Sequence, residues 1–349
     1  MCNLGVMFRY GRGVDQDYTE AIKWYEKAVK LGNARAMNNL GIMFMYGRGV
    51  KQDYQKAKEW FEKSVGLGYA RAMNNLGLMY HDGLGVKQDY TEAIKWYEKA
   101  VNLGNAKAMN NLGIMFMYGR GVKQDYTEAI KWFAKSAELG DSDAMYCLGL
   151  MYHDGLGVKQ DYQKAKEWYE KAAELGNASA MENLGAMYED GRGVDQDYQK
   201  AKEWYEKAAE LGKASAMENL GAMYENGRGV DQDYQKAFEW HKKAAELNVV
   251  EAIVSLAYFY RVGKVVTKDY QKAFELYEKA AKLGNTKAML SQYFMYLYGE
   301  VGKLDYRKAK ELFENTKKAG AALAHLDFAP EFSERYEDPV FKKSLKKVY

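Results

Sequence analysis

One spacing governs this chain. The pair Asp-Tyr recurs every 36 residues, beginning at Asp17, Asp53, Asp89, Asp125, Asp161, Asp197, Asp233, Asp269 and Asp305. A fixed period of about 20 to 50 residues is the signature of a repeat array, in which each unit buries its apolar side only against its neighbours. The chain has 349 residues, too many for one compact core, and a linear array removes that difficulty. The expected division is a partial unit over 1–32, full units over 33–68, 69–104, 105–140, 141–176, 177–212, 213–248, 249–284 and 285–320, and a tail over 321–349. The tail is expected to add one packed helix over 321–328, interrupted by Pro330, and then a basic end carrying Lys342, Lys343, Lys346 and Lys347.

Unit 33–68 shows what each repeat should fold into. Ala36, Leu40, Met43 and Phe44 fall at helical spacing within 34–46, and Gly47 and Gly49 then break the helix. Asp53 is suited to cap a second helix, accepting from amides that lack an intrahelical partner. Three units read Asp-Tyr-Thr-Glu at that point, as at Asp17 to Glu20, which is the pattern of a capping box. The second helix is expected to place Ala57, Trp60, Phe61, Ser64 and Leu67 along one side and to end at Gly68. Ala57 and its equivalents, and glycine at Gly41, Gly77, Gly113, Gly149, Gly185 and Gly221, suggest close helix approach. All seven tryptophans share one repeat position, that of Trp60, and sixteen of eighteen methionines share the positions of Met37 and Met43. Core packing between repeats accounts for both. The seven Gly-x-Gly strings follow helices rather than strands, so they read as turns, not phosphate loops.

The string of conserved types Leu40-Gly41, Phe44, Gly47-x-Gly49-Val50, Asp53, Ala57, Trp60 and Gly68, repeated to about residue 320, resembles the Sel-one-like repeat, a longer-looped relative of the tetratricopeptide repeat. The resemblance implies an all-α fold, a right-handed α/α superhelical solenoid of about nine helix-turn-helix repeats. It also implies a scaffold or adaptor that binds a protein or peptide, not an enzyme. Some secreted bacterial members carry a disulfide in each repeat and have been linked to β-lactam binding. Cys2 and Cys147 are the only cysteines here, so that hydrolase-type branch is a poor match. An immunity-type protein that blocks one toxic partner is a further alternative.

Composition excludes other classes. With 51 basic and 48 acidic residues the net charge is +3, which does not favour a nucleic-acid partner. No apolar run reaches the roughly 18 residues of a membrane span, and no signal peptide is visible. A cytoplasmic location is the favoured expectation. No cofactor and no metal site are expected. His81, His153, His241 and His325 are expected at surface or groove positions, and no nucleophile, base and orienting group converge.

In the resembling family the first helix of each hairpin lines the concave face. Side chains there that are neither core nor cap are the candidates for partner contact. In the early units these are Arg35, Asn38, Met45, Tyr46, Arg71, Asn74, His81, Lys107, Asn110, Met117 and Tyr118. The middle units turn acidic, and Glu182, Glu189, Glu218 and Glu225 are expected to form one carboxylate patch. A solvated face inherited by duplication is the competing explanation, because units 177–212 and 213–248 are near-copies. The chain begins inside a first helix, at the position of Met37, so the array is expected to open on an uncapped end able to self-associate.

Overall fold

The computed structural model describes residues 1–302 together with 307, 308, 311 and 312. The expected terminal helix, the basic tail and His325 lie outside the described residues. The chain divides into two compact units, Met1–Ala180 and Met181–Tyr349, and among the described residues it is an all-α solenoid without strands.

The first unit holds five hairpins: α1 Cys2–Tyr10 with α2 Tyr18–Val29, α3 Ala34–Tyr46 with α4 Tyr54–Gly66, α5 Ala70–Asp82 with α6 Tyr90–Val101, α7 Ala106–Tyr118 with α8 Tyr126–Glu138, and α9 Ser142–Asp154 with α10 Tyr162–Glu174. α11, Ala178–Asp190, begins at the boundary. The second unit continues with α12 Tyr198–Glu210, α13 Ala214–Asn226, α14 Tyr234–Glu246, α15 Val250–Val262, α16 Tyr270–Lys282 and α17 Thr286–Leu297. Within each unit a second helix packs on its own first helix and on the first helix that follows, as α4 does on α3 and α5.

The caps behave as the sequence requires. Asp53 is extended (φ −152°) and its side chain accepts from the Lys56 amide at 3.0 Å. Asp17, Asp89 and Asp125 accept from the amides of Glu20, Glu92 and Glu128 at 2.9 Å. The two loop glycines serve different needs. Gly47 ends α3 in the left-handed region at φ 64°. Gly49 faces the previous repeat, where a Cβ would lie 2.7 Å from Cβ of Tyr18. Gln52 then fastens the loop by donating to the Met45 carbonyl at 2.9 Å.

The core is one layer repeated. Ala36, Leu40 and Met43 from α3 and Ala57, Phe61 and Ser64 from α4 are all buried. Gly41 lets Phe61 lie flat on α3, since a Cβ there would sit 2.5 Å from the Phe61 ring. Burying Leu40, Met43 and Phe61 contributes about 1.5–3 kcal/mol each, which a lone hairpin could not collect. Trp60 packs across the repeat boundary against the layer of Ala21, Tyr25 and Leu40, with the Lys63 ammonium 4.3 Å from its ring centre.

Two expectations fail. Leu67 is 54 % exposed, because it follows the last helical residue and leaves the buried side. His241 is not a surface residue: it is 1 % exposed and occupies the core position that Phe61 and Tyr205 hold in other repeats. Gly221 gives it room, as Gly41 does for Phe61.

Candidate functional site

In the first unit the first helices line a cleft of about 620 Å³. α1 contributes Arg9 and Tyr10, α3 Asn38, Asn39 and Ile42, α5 Arg71, Asn74 and Asn75, and the start of α7 Lys107. Leu139, just past α8, closes one side.

The floor is a ladder of asparagines that steps from repeat to repeat. Asn75 donates to Oδ1 of Asn38 at 2.8 Å, and Asn111 donates to Oδ1 of Asn74 at 2.8 Å. Asn39 repeats the step on the Cys2 sulfur at 3.9 Å. The ladder stops at Asn110, whose Oδ1 is buried without a partner, because its next step is Cys147 instead of asparagine. Burial pushes the Cys147 thiol up to about 12, so it stays protonated.

This ladder corrects part of the expected contact set. Asn38, Asn74 and Asn110 are 3 %, 6 % and 7 % exposed, so they are structural floor rather than free groove residues. Met45 and Met117 are also buried, filling the layer against the next repeat. Arg35, Arg71, Tyr46 and Tyr118 are exposed, as is Lys107. Arg35 reaches Asn3 at 3.4 Å. Lys107 is held by Asp141 at 3.4 Å and Asp143 at 3.1 Å. His81 is half-buried and engaged at both nitrogens: Nδ1 lies 2.6 Å from Asp82, and Arg120 meets Nε2 at 3.0 Å.

The acidic stretch of the second unit is not an open carboxylate patch. Glu182 pairs with Lys213 at 3.2 Å. Glu189 accepts from Tyr205 Oη at 2.8 Å and from Arg228 at 3.1 Å. Glu225 lies 3.1 Å from Nε2 of His241. Glu218 is the exception: burial raises its carboxyl above the ordinary range, against an opposing pull from His241 and with further push from Glu251, Glu225 and Glu189. Internal pairing thus takes up most of the charge that the sequence offers to a basic partner.

Sequence reasoning missed Arg9. It is only 8 % exposed, lines the cleft, and its Nε has no partner. The hydroxyl of Tyr25 is likewise buried without a well-formed hydrogen bond, with Arg9 beside it. Burial pushes the Tyr25 phenol up to about 12, while the neighbouring Arg9 pulls it down. The available signal was a cation at a repeat position that holds Met45 and Met117 elsewhere.

Among the described residues no helix is long and apolar enough to cross a membrane, and no three metal-binding side chains converge. Cys2 and Cys147 are free thiols.

The sequence profile of the Sel1 repeat matches residues 1–33, 34–69, 70–105, 106–141, 142–177, 178–213, 214–249, 250–285 and 288–320. A Sel1 repeat protein from Oxalobacter formigenes is 38 % identical over 71 % of this chain and all of its own length, with a TM-score of 0.63. A protective antigen of uropathogenic Escherichia coli displaying an SLR fold is 29 % identical over 99 % of this chain and 82 % of its own, with a TM-score of 0.52. No curated protein sequence matches the chain.

Proposed function

The chain belongs to the Sel1 repeat family, and on that premise we propose that it is a scaffold that binds an extended segment of a partner protein along the first-helix face of the first unit. Sel1 repeat proteins generally mediate protein–protein interaction, and the family is typically non-catalytic. The observation that carries the location is the cleft lined chiefly by first helices from Arg9 to Lys107. Its floor is set by the asparagine ladder, the exposed Arg71 lines it, and the exposed Arg35 stands one turn before Asn38 and Asn39 on α3. A rigid, preformed groove lowers the ordering cost of binding, and its charges set register and on-rate.

The acidic middle supports this choice by contrast. Glu182 and Glu189 are ion-paired with Lys213 and Arg228, and Glu225 lies against His241, so a basic partner would have to displace internal contacts. In the first unit Arg71 asks for no such exchange.

The test is crosslinking with mass spectrometry in the native host, comparing the wild-type chain with Arg71→Glu and with Glu182→Lys. Loss of the crosslinked partner with Arg71→Glu alone, at unchanged helicity, is the expected result. Loss with Glu182→Lys alone would move the site to the second unit, and loss with neither would remove the groove from consideration.

A further inference from the structure

The repeats differ most sharply in chemistry at the position of Arg9. Its equivalents include Met45, Met117, Glu189, Glu225 and Arg261. A side chain at this place meets two others in the regular stack. One stands 16 residues on, on the second helix of the same hairpin, as Tyr205 does for Glu189 and His241 for Glu225. The other stands 39 residues on, in the next repeat, as Arg228 does for Glu189 and Glu300 for Arg261.

Where the position is charged in the second unit, the surroundings answer it. The Glu189 carboxylate sits between two donors, Tyr205 Oη at 2.8 Å and Arg228 Nη1 at 3.1 Å. Arg261 reverses the polarity and is answered by Glu300 through two bonds of 2.8 and 3.3 Å. The same register in the first hairpin brings Arg9, Tyr25 and Arg48 to these three places. None of the three is an anion: two are guanidiniums, and Tyr25 offers only a neutral phenol. Nε of Arg9 and Oη of Tyr25 are both buried without a well-formed hydrogen bond, though the two side chains are neighbours; the Arg9 guanidinium lies 4.9 Å from the Tyr10 ring centre and that of Arg48 5.2 Å from the Tyr46 ring centre, neither on a carboxylate. A buried guanidinium without an anion is costly, and buried donors are nearly always satisfied. Arg48, at the place where Arg261 finds Glu300, carries the wrong charge to answer Arg9, and Tyr25 offers it only a neutral phenol oxygen.

We infer that Arg9, Tyr25 and Arg48 form a receptor for a carboxylate carried by the partner segment that lies in the first-unit cleft. This rests on the scaffold reading above and assigns the partner's chemistry. The arrangement around Glu189 supplies the pattern: a carboxylate accepts from a phenol and a guanidinium at once, and arginine forks suit that acceptor. In the first hairpin the carboxylate comes from outside, because the chain's own side chain at that place is a cation. Arg9 lines the cleft, so the anion can enter, and the exposed Arg35 and Arg71 extend the positive run beyond it. A segment with several acidic side chains, or an acidic segment ending in its own carboxylate, fits this floor.

The probe is a fluorescein-labelled peptide of about ten residues alternating glutamate and alanine, read by anisotropy at low salt, with the glutamine-for-glutamate peptide as control. The wild-type chain should bind the acidic peptide about tenfold more tightly than the control. Arg9→Met, which places a side chain already tolerated at Met45 and Met117, should reduce the acidic peptide to the level of the control without lowering the melting temperature. Arg9→Glu should rebuild the pattern seen at Glu189, raise the melting temperature and abolish binding. Equal affinity for the two peptides, no binding of the acidic one, or full affinity in Arg9→Met would overturn the carboxylate receptor. Displacement of the peptide by inorganic phosphate at far lower concentration than by acetate would also overturn it, by assigning the site to phosphate. The two readings fail separately. A native partner lost with Arg71→Glu but kept at full affinity by Arg9→Met leaves the groove and removes the receptor; a partner unmoved by either removes the groove.

Discussion

At the scale of the residue, the informative positions are those where one repeat departs from its neighbours. His241 stands where others carry phenylalanine or tyrosine, and it turns an apolar layer into a buried polar one beside Glu225. Glu218, on the same first helix, holds its proton to higher pH in the folded chain than in the unfolded one, chiefly because it is buried. Between the ordinary carboxyl value and the raised one, the folded state therefore binds more protons, and stability falls as pH rises through that window. Glu218→Gln removes the titration. Thermal melts followed by circular dichroism should show the variant gaining on the wild type as pH rises above the ordinary carboxyl range. A wild type that gains instead would reverse the assignment. The identities of both residues were plain in the sequence. The burial of His241 was not, because it depends on Gly221 leaving space for an imidazole ring.

At the scale of the element, the same substitution changes sign with its surroundings. Gly66 ends α4 with no atom within 4 Å of a built Cβ, so Gly66→Ala gains helix propensity and loses nothing. It should raise stability by about 0.5–1 kcal/mol. Gly77 in α5 has Tyr97 Cε1 only 2.4 Å from the built Cβ. Propensity offers about 1 kcal/mol there, but forcing the buried ring aside costs about 1–3 kcal/mol or more, so Gly77→Ala should be net destabilising. Urea denaturation of the two variants checks both signs, and matching signs would contradict the packing. The caps form a second test. Asp89 accepts from the Glu92 amide at 2.9 Å, and Asp89→Ala should cost about 1 kcal/mol. The capping and turn chemistry was legible because it acts within a few residues. The reason for the second loop glycine was not, since the clash that excludes a side chain at Gly49 comes from Tyr18 in the previous repeat.

At the scale of the whole molecule, each hairpin is stabilised by its neighbours alone, so a local defect should stay local. Native-state hydrogen exchange on Gly77→Ala should speed exchange in α4 to α7 and leave α15 to α17 unchanged; uniform acceleration would mean that the array unfolds as one body. The division of charge also belongs to this scale. Overall the charges nearly balance, at 51 basic and 48 acidic residues, but the pairing is uneven. In the second unit Glu189 and Arg261 are answered by Arg228 and Glu300, whereas the same register in the first unit offers Arg9 no anion, only Tyr25 and Arg48. Binding to the first-unit cleft should therefore weaken steeply with salt, and a titration of the acidic peptide from about 50 to about 300 mM sodium chloride measures it.

The sequence by itself determined the hairpin, its period and the layer of alanines, glycines and aromatic rings that stacks it. Those features repeat, and short-range rules suffice to interpret them: helical spacing, an aspartate cap, a glycine stop. Only the tertiary structure decided which first-helix residues remain available. Asn38 and Asn74 look free along their own helices, yet each is claimed by an asparagine 37 residues later. Glu189 looks like an open carboxylate, yet it is claimed by residues 16 and 39 positions away. Arg9 looks like one more surface cation, yet it is buried and its Nε has no hydrogen-bond partner. The physical reason is the same in each case. A pairing between successive repeats is set by how one hairpin sits on the next, and no single repeat contains that relation.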